Sequence, residues 1–236
     1  MDRLPDFVST VLFDVGNTLN HLDYGLIADT LTRHGHAVTA QQVAVAECAG
    51  KAAVDAAFRE RRAGGDANRR VAYVETIIDA LRVPGATADT VVAELKAEDR
   101  RASLWRVMHA DTPNVLVELR RRGITLAVVS NADGRVSASL QSQGVAEHFA
   151  AIIDSHNVGV EKPDARIFGF ALDACRAPSS QAIYVGDIYE IDVCGARNAG
   201  ITPVLLDPLA HYIAADCPRI DALTDLLDLL PPAPRR

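Results

Sequence analysis

Five short apolar runs constrain this chain more than anything else in it. They are Phe7–Phe13 (FVSTVLF), Ile124–Ser130 (ITLAVVS), Ala150–Ser155 (AAIIDS), Ala182–Asp187 (AIYVGD) and Thr202–Asp207 (TPVLLD). A strand wetted on one face alternates polar and apolar residues. A run that is apolar nearly throughout belongs to a strand covered on both faces, the signature of a parallel sheet between helical layers. Helical patterns separate the later runs. Pro113–Gly123 has Pro in its first turn and Gly at its end, Ala132–Gly144 closes on another Gly, and Pro163–Ala177 spaces Ile167, Phe168, Ala171, Leu172 and Cys175 along one helical face. Strands alternating with helices give βαβ units.

The middle of the chain differs. From about Tyr24 to His109 no strand is expected, and Ile27–His34, Ala40–Arg62, Asn68–Leu81 and Thr87–Met108 read as amphipathic helices, with Gly64-Gly65 and Pro84-Gly85 as breaks. A helical insertion after the first strand follows from this order. Pro231–Arg236 reads as a loose end.

Composition limits the function classes. With 49% hydrophobic and 23% charged residues, the 236-residue chain is globular and long enough for a full core. A net charge of −7 gives no basic excess for a nucleic-acid backbone, so no nucleic-acid partner is expected. No run approaches the ~18 apolar residues of a membrane span, and no signal peptide is evident at the start. Cys48, Cys175, Cys194 and Cys217 lack metal-finger spacing and read as reduced, mostly buried thiols. The expectation is a cytoplasmic chain with no membrane partner, acting as a monomer or homodimer.

In open parallel α/β sheets ligands bind at the carboxyl ends of the strands. Here those ends are polar. The first run leads into Asp14-Val15-Gly16-Asn17-Thr18, the second ends at Ser130-Asn131, the loop after the third carries Glu161-Lys162-Pro163-Asp164, and the fourth ends at Gly186-Asp187 with Asp192 five residues on. Taken singly, these residues also suit helix caps, turns and a solvated loop lysine. Together, three acids, a lysine and a hydroxyl suit a hard divalent cation beside a phosphoryl group.

The motifs FDVGNTL (Phe13–Leu19), VVSN (Val128–Asn131), EKPD (Glu161–Asp164) and GDIYEID followed by VCGARNAG resemble, in order, the four motifs of the haloacid-dehalogenase-type hydrolase superfamily, in its helical-cap branch. The resemblance covers nearly the whole chain. It implies an α/β fold: a doubly wound, parallel-sheet, Rossmann-like core over 1–20 and 110–236, with an inserted cap domain over 21–109. It implies a Mg²⁺-dependent phosphatase acting on a small phosphorylated metabolite. Asp14 is then the nucleophile that forms an aspartyl-phosphate. Asp14, the Gly16 carbonyl and Asp187 hold Mg²⁺, Ser130, Asn131 and Lys162 bind the phosphoryl group, and Asp192 orients the metal's surroundings or the lysine.

Gly16 departs from the pattern, since most of the family's phosphatases carry there a second Asp that protonates the leaving oxygen and activates water. The backbone carbonyl survives the change, and the acid–base help does not. The family's dehalogenases and phosphonatases also lack that Asp, so these activities, or phosphate binding without turnover, stand as alternatives. A haloacid dehalogenase needs no Mg²⁺ and would not keep the acids of GDIYEID. A phosphonatase needs a cap lysine, and only Lys51 and Lys96 are available. His21 and Asp23, beside Tyr24, could replace the acid, or they form a solvated hinge loop. His34-Gly35-His36 reads as a helix end, Arg59, Arg61, Arg62, Arg69 and Arg70 as a solvated face, and Trp105 and Met108 as core.

Overall fold

The computed structural model describes residues 3–230; the segment 231–236, expected to be a loose end, lies outside the described residues. The chain divides into two compact units. One is formed by Met1–Asn20 with Met108–Arg236, the other by His21–Val107.

The first unit is built on a six-stranded sheet. Numbered along the chain, its strands are β1 (Thr10–Phe13), β4 (Thr125–Ser130), β5 (Ala151–Asp154), β6 (Ala182–Gly186), β7 (Thr202–Leu206) and β8 (Arg219–Ile220), and the spatial order is β5-β4-β1-β6-β7-β8. All five pairings are parallel. β1 is flanked by β4 and β6, with Phe13 level with Val128 on one side and Val185 on the other. The chain runs outward from β1 to β4 and β5, then crosses back to β6, so the switch in direction falls beside β1. That is where open sheets of this kind hold ligands.

Every residue of β1 and β6 is buried, as apolar runs without alternation require. One face packs Val11, Phe13, Leu126, Val128, Ile183 and Val185 against Leu116 and Leu119 of the helix Thr112–Arg121 and Leu140 of Val136–Ser142. The other face sets Leu12, Ala127, Val129 and Tyr184 against Ile167, Phe168 and Ala171 of the helix Ala165–Cys175. At roughly 1.5–3 kcal/mol per large apolar side chain removed from water, these two layers supply the main drive for folding of this unit.

The second unit is helical, with Tyr24–Arg33, Ala40–Arg59, Asp66–Ala80 and Gly85–Arg101 as its helices. Asp23 caps the first by accepting from the Leu26 N–H at 2.9 Å, and Thr39 and Gln42 form a capping box on the second. Ile27, Leu31, Val43, Ile77, Ile78, Val91 and Leu95 form the buried apolar positions. Glu47, Lys51 and Asp55 are also buried, four residues apart along Ala40–Arg59.

Several expectations need correction. The first strand starts at Thr10 and not at Phe7, which lies in a bend and is 54% exposed. The helix expected over Thr87–Met108 stops at Arg101, and Trp105–Met108 is a strand, β3, paired with Asn20–Leu22, β2, in a separate two-stranded sheet. Its partner lies more than eighty residues away, so no local pattern announces it. The Asp99 carboxylate accepts from the Leu104 N–H at 2.9 Å, fixing the exit from the helix. Trp105 and Met108 are only half-buried.

The arginine group is not one solvated face. Arg59, Arg61 and Arg62 are exposed, but Arg69 is buried against Phe58, and Arg70 reaches Asp99 at 2.7 Å and lies over the Trp105 ring. Of the four cysteines only Cys217 is buried. No helix among the described residues is long and apolar enough to cross a membrane.

Candidate active site

Asp14 follows the last residue of β1 and is fixed by its own N–H, which donates to the Val185 carbonyl of β6 at 2.9 Å. Beyond it the backbone turns sharply. The N–H groups of Thr18, Leu19 and Asn20 all donate to the Val15 carbonyl, and Asn17 takes a left-handed φ of 53°. Asn is among the residues that adopt this conformation most readily, so the turn forms here without a glycine.

Lys162 reaches the same point from the connection between β5 and β6. Its Nζ donates to Asp14 Oδ1 at 2.7 Å, to Asp192 Oδ1 at 2.9 Å and to the Tyr184 hydroxyl at 2.6 Å. The Lys162 side chain is 2% exposed, so these contacts form in a low dielectric, where charge-assisted bonds are strong.

Asn131 braces the lysine through the backbone. Its amide nitrogen donates to the Lys162 carbonyl at 3.0 Å, and its amide oxygen accepts from the Lys162 N–H at 2.7 Å. Both polar atoms of the side chain are thus engaged in holding the loop that carries Lys162. Ser130, the last residue of β4, is buried, and its hydroxyl makes no hydrogen bond with the described residues.

The run after β6 explains the spacing of Asp187 and Asp192. Residues Tyr189–Val193 form a π-helical turn, a widened geometry frequent at functional sites. It folds the Asp192 carboxylate back over Gly186. Asp192 Oδ2 accepts from the N–H groups of Asp187 at 3.0 Å and Ile188 at 2.9 Å, and Oδ1 takes Lys162 and the Tyr184 hydroxyl. A Cβ on Gly186 would lie 2.4 Å from Asp192 Cγ, so only glycine fits there.

Asp14, Asp187 and Asp192 each place a carboxylate oxygen within 4.8 Å of the others, and all three are buried. When ionised they outnumber the Lys162 ammonium by two negative charges. Burial pushes the Asp14 carboxyl up to about 7 against the pull of Lys162, and the charges of Asp192 and Asp187 add to the rise. Burial draws Lys162 down, but Asp14 and Asp192 outweigh it and hold the ammonium above its ordinary value. A divalent cation on oxygen donors matches this charge excess. With both Asp192 oxygens already accepting hydrogen bonds, Asp14 and Asp187 are the carboxylates suited to hold it.

Asp23 and His21 lie in the helical unit. Asp23 caps its helix and pairs with Arg106 at 2.9 Å, which engages both its oxygens. The Nδ1 of His21 is 2.7 Å from the Leu22 carbonyl, and its ring stacks on Tyr24. His34 and His36 reach different partners, Glu94 and the Leu81 carbonyl, around the left-handed Gly35 that ends a helix. Tyr184 is the site residue that sequence reasoning passes over. Its only mark is a hydroxyl in an otherwise apolar run, two residues before Gly186.

Residues 8–200 match the family model described as haloacid dehalogenase-like hydrolase. The haloacid dehalogenase-like hydrolase domain-containing protein 3 of Mus musculus is 37% identical over 153 residues, 63% of this chain and 61% of that protein. A phosphoserine phosphatase of Thermus thermophilus is 38% identical over 101 residues, 42% of this chain and 41% of its own. The chain spans less than two thirds of the length of the curated relatives it matches. Among solved structures, a HAD-hydrolase from Bacillus subtilis bound to magnesium shares the fold with a TM-score of 0.65 at 18% identity, covering 95% of this chain and 99% of that one. The chain belongs to the haloacid dehalogenase-like hydrolase family.

Proposed function

We propose that this protein is a Mg²⁺-dependent phosphohydrolase acting on a small phosphorylated metabolite, with the helical unit as its cap. The observation that carries the reading is the buried cluster at the carboxyl edge of β1, β4 and β6: Asp14 against Lys162, with Asp187 and Asp192 beside them. Relatives named as phosphatases, phosphoserine phosphatase among them, support the same direction.

In this reading the Asp14 carboxylate attacks phosphorus. An O–P bond forms to Asp14 as the bond to the leaving oxygen breaks, and water then cleaves the aspartyl-phosphate to release phosphate and restore Asp14. Splitting one difficult displacement into two lowers each barrier. The Ser130 hydroxyl holds a phosphoryl oxygen, and the Lys162 ammonium, fixed beside Asp14, places positive charge where negative charge develops, a preorganised stabilisation. Mg²⁺, held by Asp14, Asp187 and the Gly16 carbonyl, would neutralise charge between the carboxylate and the phosphoryl group. Asp192 keeps Lys162 placed, and Asn131 steadies the loop behind it. Gly16 gives no proton, so leaving groups that depart as stable anions are favoured.

The retained Asp187 and Asp192 favour this chemistry over metal-free dehalogenation. Phosphate release from aryl and acyl phosphates, measured with Mg²⁺, tests it. The Asp14→Asn variant should lose roughly 10³-fold or more, and Asp187→Ala should raise the Mg²⁺ concentration needed for half-maximal rate. Equal rates for wild type and Asp14→Asn, or halide release from haloacids after chelation, would overturn it.

A further inference from the structure

A lysine ammonium has three N–H bonds, and each one in Lys162 has a separate acceptor. Two are the Asp14 and Asp192 carboxylates already described. The third is the Tyr184 hydroxyl, 2.6 Å away and the shortest of the three contacts. The hydroxyl also lies 3.1 Å from the Val129 carbonyl and 3.0 Å from Asp192 Oδ1, either of which can take its proton. Tyr184 therefore ties the ammonium to the end of β4, one residue before Ser130, and to Asp192.

The ring is enclosed by its neighbours. Tyr184 is wholly buried, and Phe168 meets it edge-on with centroids 4.9 Å apart. Phe168 is itself backed by Gly195, where a Cβ would lie 3.0 Å from the Phe168 ring and 3.1 Å from the Pro163 Cα. A fixed acceptor at the centre of the sheet therefore faces a cation carried on a loop. Asp14 and Asp192 supply charge, but each also has another task, and the neutral hydroxyl is the contact with no other part in the proposed reaction.

We propose that Tyr184 is a positioning residue: its hydroxyl fixes the Lys162 ammonium beside Asp14 for phosphoryl transfer. The proposal rests on the phosphohydrolase reading for its catalytic half. The geometric half, a Lys162 ammonium held by Tyr184, stands on the contacts alone.

Tyr184→Phe keeps the ring and removes the acceptor. Two readouts decide the matter. The first is the Lys162 ammonium signal in ¹⁵N-detected NMR of the metal-free protein, assigned by its loss in Lys162→Met. In wild type its protons should exchange slowly, and in Tyr184→Phe the signal should broaden or vanish. The second is phosphate release from an aryl phosphate with Mg²⁺, where kcat should fall roughly 10-fold to 100-fold, the scale of a hydrogen bond to a charged group, with KM changing much less. An unchanged Lys162 signal, or a kcat within about twofold of wild type, would overturn the proposal. If wild type hydrolyses no phosphate ester, the phosphohydrolase reading fails, and the NMR arm alone judges whether Tyr184 holds Lys162. If Tyr184→Phe does not fold, the Tyr184→Phe/Lys162→Met double variant decides. Recovery of folding shows that the defect came from the stranded ammonium, and continued failure assigns Tyr184 to packing and overturns the proposal.

Discussion

Replacing Gly186 with alanine adds one carbon to the most crowded point of the site. The new Cβ would lie 2.4 Å from Asp192 Cγ, 2.5 Å from its Cβ and 2.6 Å from Oδ2. Ordinary contact begins near 3.4 Å, so the carboxylate must retreat by about 1 Å. It cannot do so cheaply, because it accepts hydrogen bonds of 2.9–3.0 Å from the N–H groups of Asp187 and Ile188 and from Lys162, with the Tyr184 hydroxyl 3.0 Å away. A retreat of that size takes at least two of them out of range. Each is a bond to a buried charge, worth about 1.5–3 kcal/mol, so Gly186→Ala should destabilise by about 3–6 kcal/mol. Urea unfolding of wild type and variant measures the difference directly. The same retreat frees Lys162, so phosphate release should fall even under conditions where the variant is folded. A loss of stability below about 1 kcal/mol with normal turnover would refute the reasoning, since it would mean that Asp192 does not sit over Gly186 in solution.

Two further outcomes follow from the site's charges and from Gly16. The Asp14 carboxyl, at about 7 in the folded chain against an ordinary 3.8, binds its proton more tightly folded than unfolded, so its contribution to stability is present below about 3.8 and is lost as pH rises to about 7. Urea midpoints of the chelated protein from pH 5 to 8 should therefore fall with pH relative to Asp14→Asn, and a constant difference between the two proteins would count against the raised carboxyl. With no acid at Gly16, rates should drop steeply as the leaving-group pKa rises, and Gly16→Asp should accelerate alkyl esters by ~10²–10⁴-fold while sparing aryl and acyl phosphates. A flat dependence in wild type would show that another group donates the proton, and because both Asp23 oxygens are already engaged, with the Leu26 N–H and with Arg106, His21→Ala is the variant to examine next.

Residues that the strands themselves deliver were legible in the sequence. A parallel strand covered on both faces must be apolar throughout, so β1, β4 and β6 announced themselves, and the polar residue at or just past the end of each one was fixed by adjacency: Asp14, Ser130 and Asp187. Contacts that cross the chain were not. β3 had no local signal because its partner is β2, far away in sequence, and nothing local shows that the Asn131 amide grips the Lys162 backbone from 31 residues away. Tyr184 is the sharpest case. By period it points to one face of the sheet, with Leu12, Ala127 and Val129, and that pattern assigns it to the core. The assignment is right for the ring and incomplete for the hydroxyl, which extends past the apolar layer to the lysine. A buried tyrosine brings a donor and acceptor that must find partners. The useful question at such a position is therefore which polar group the fold delivers to the hydroxyl. Here it is a loop lysine 22 residues earlier, and only the crossing from β5 back to β6, beside β1, brings the two together.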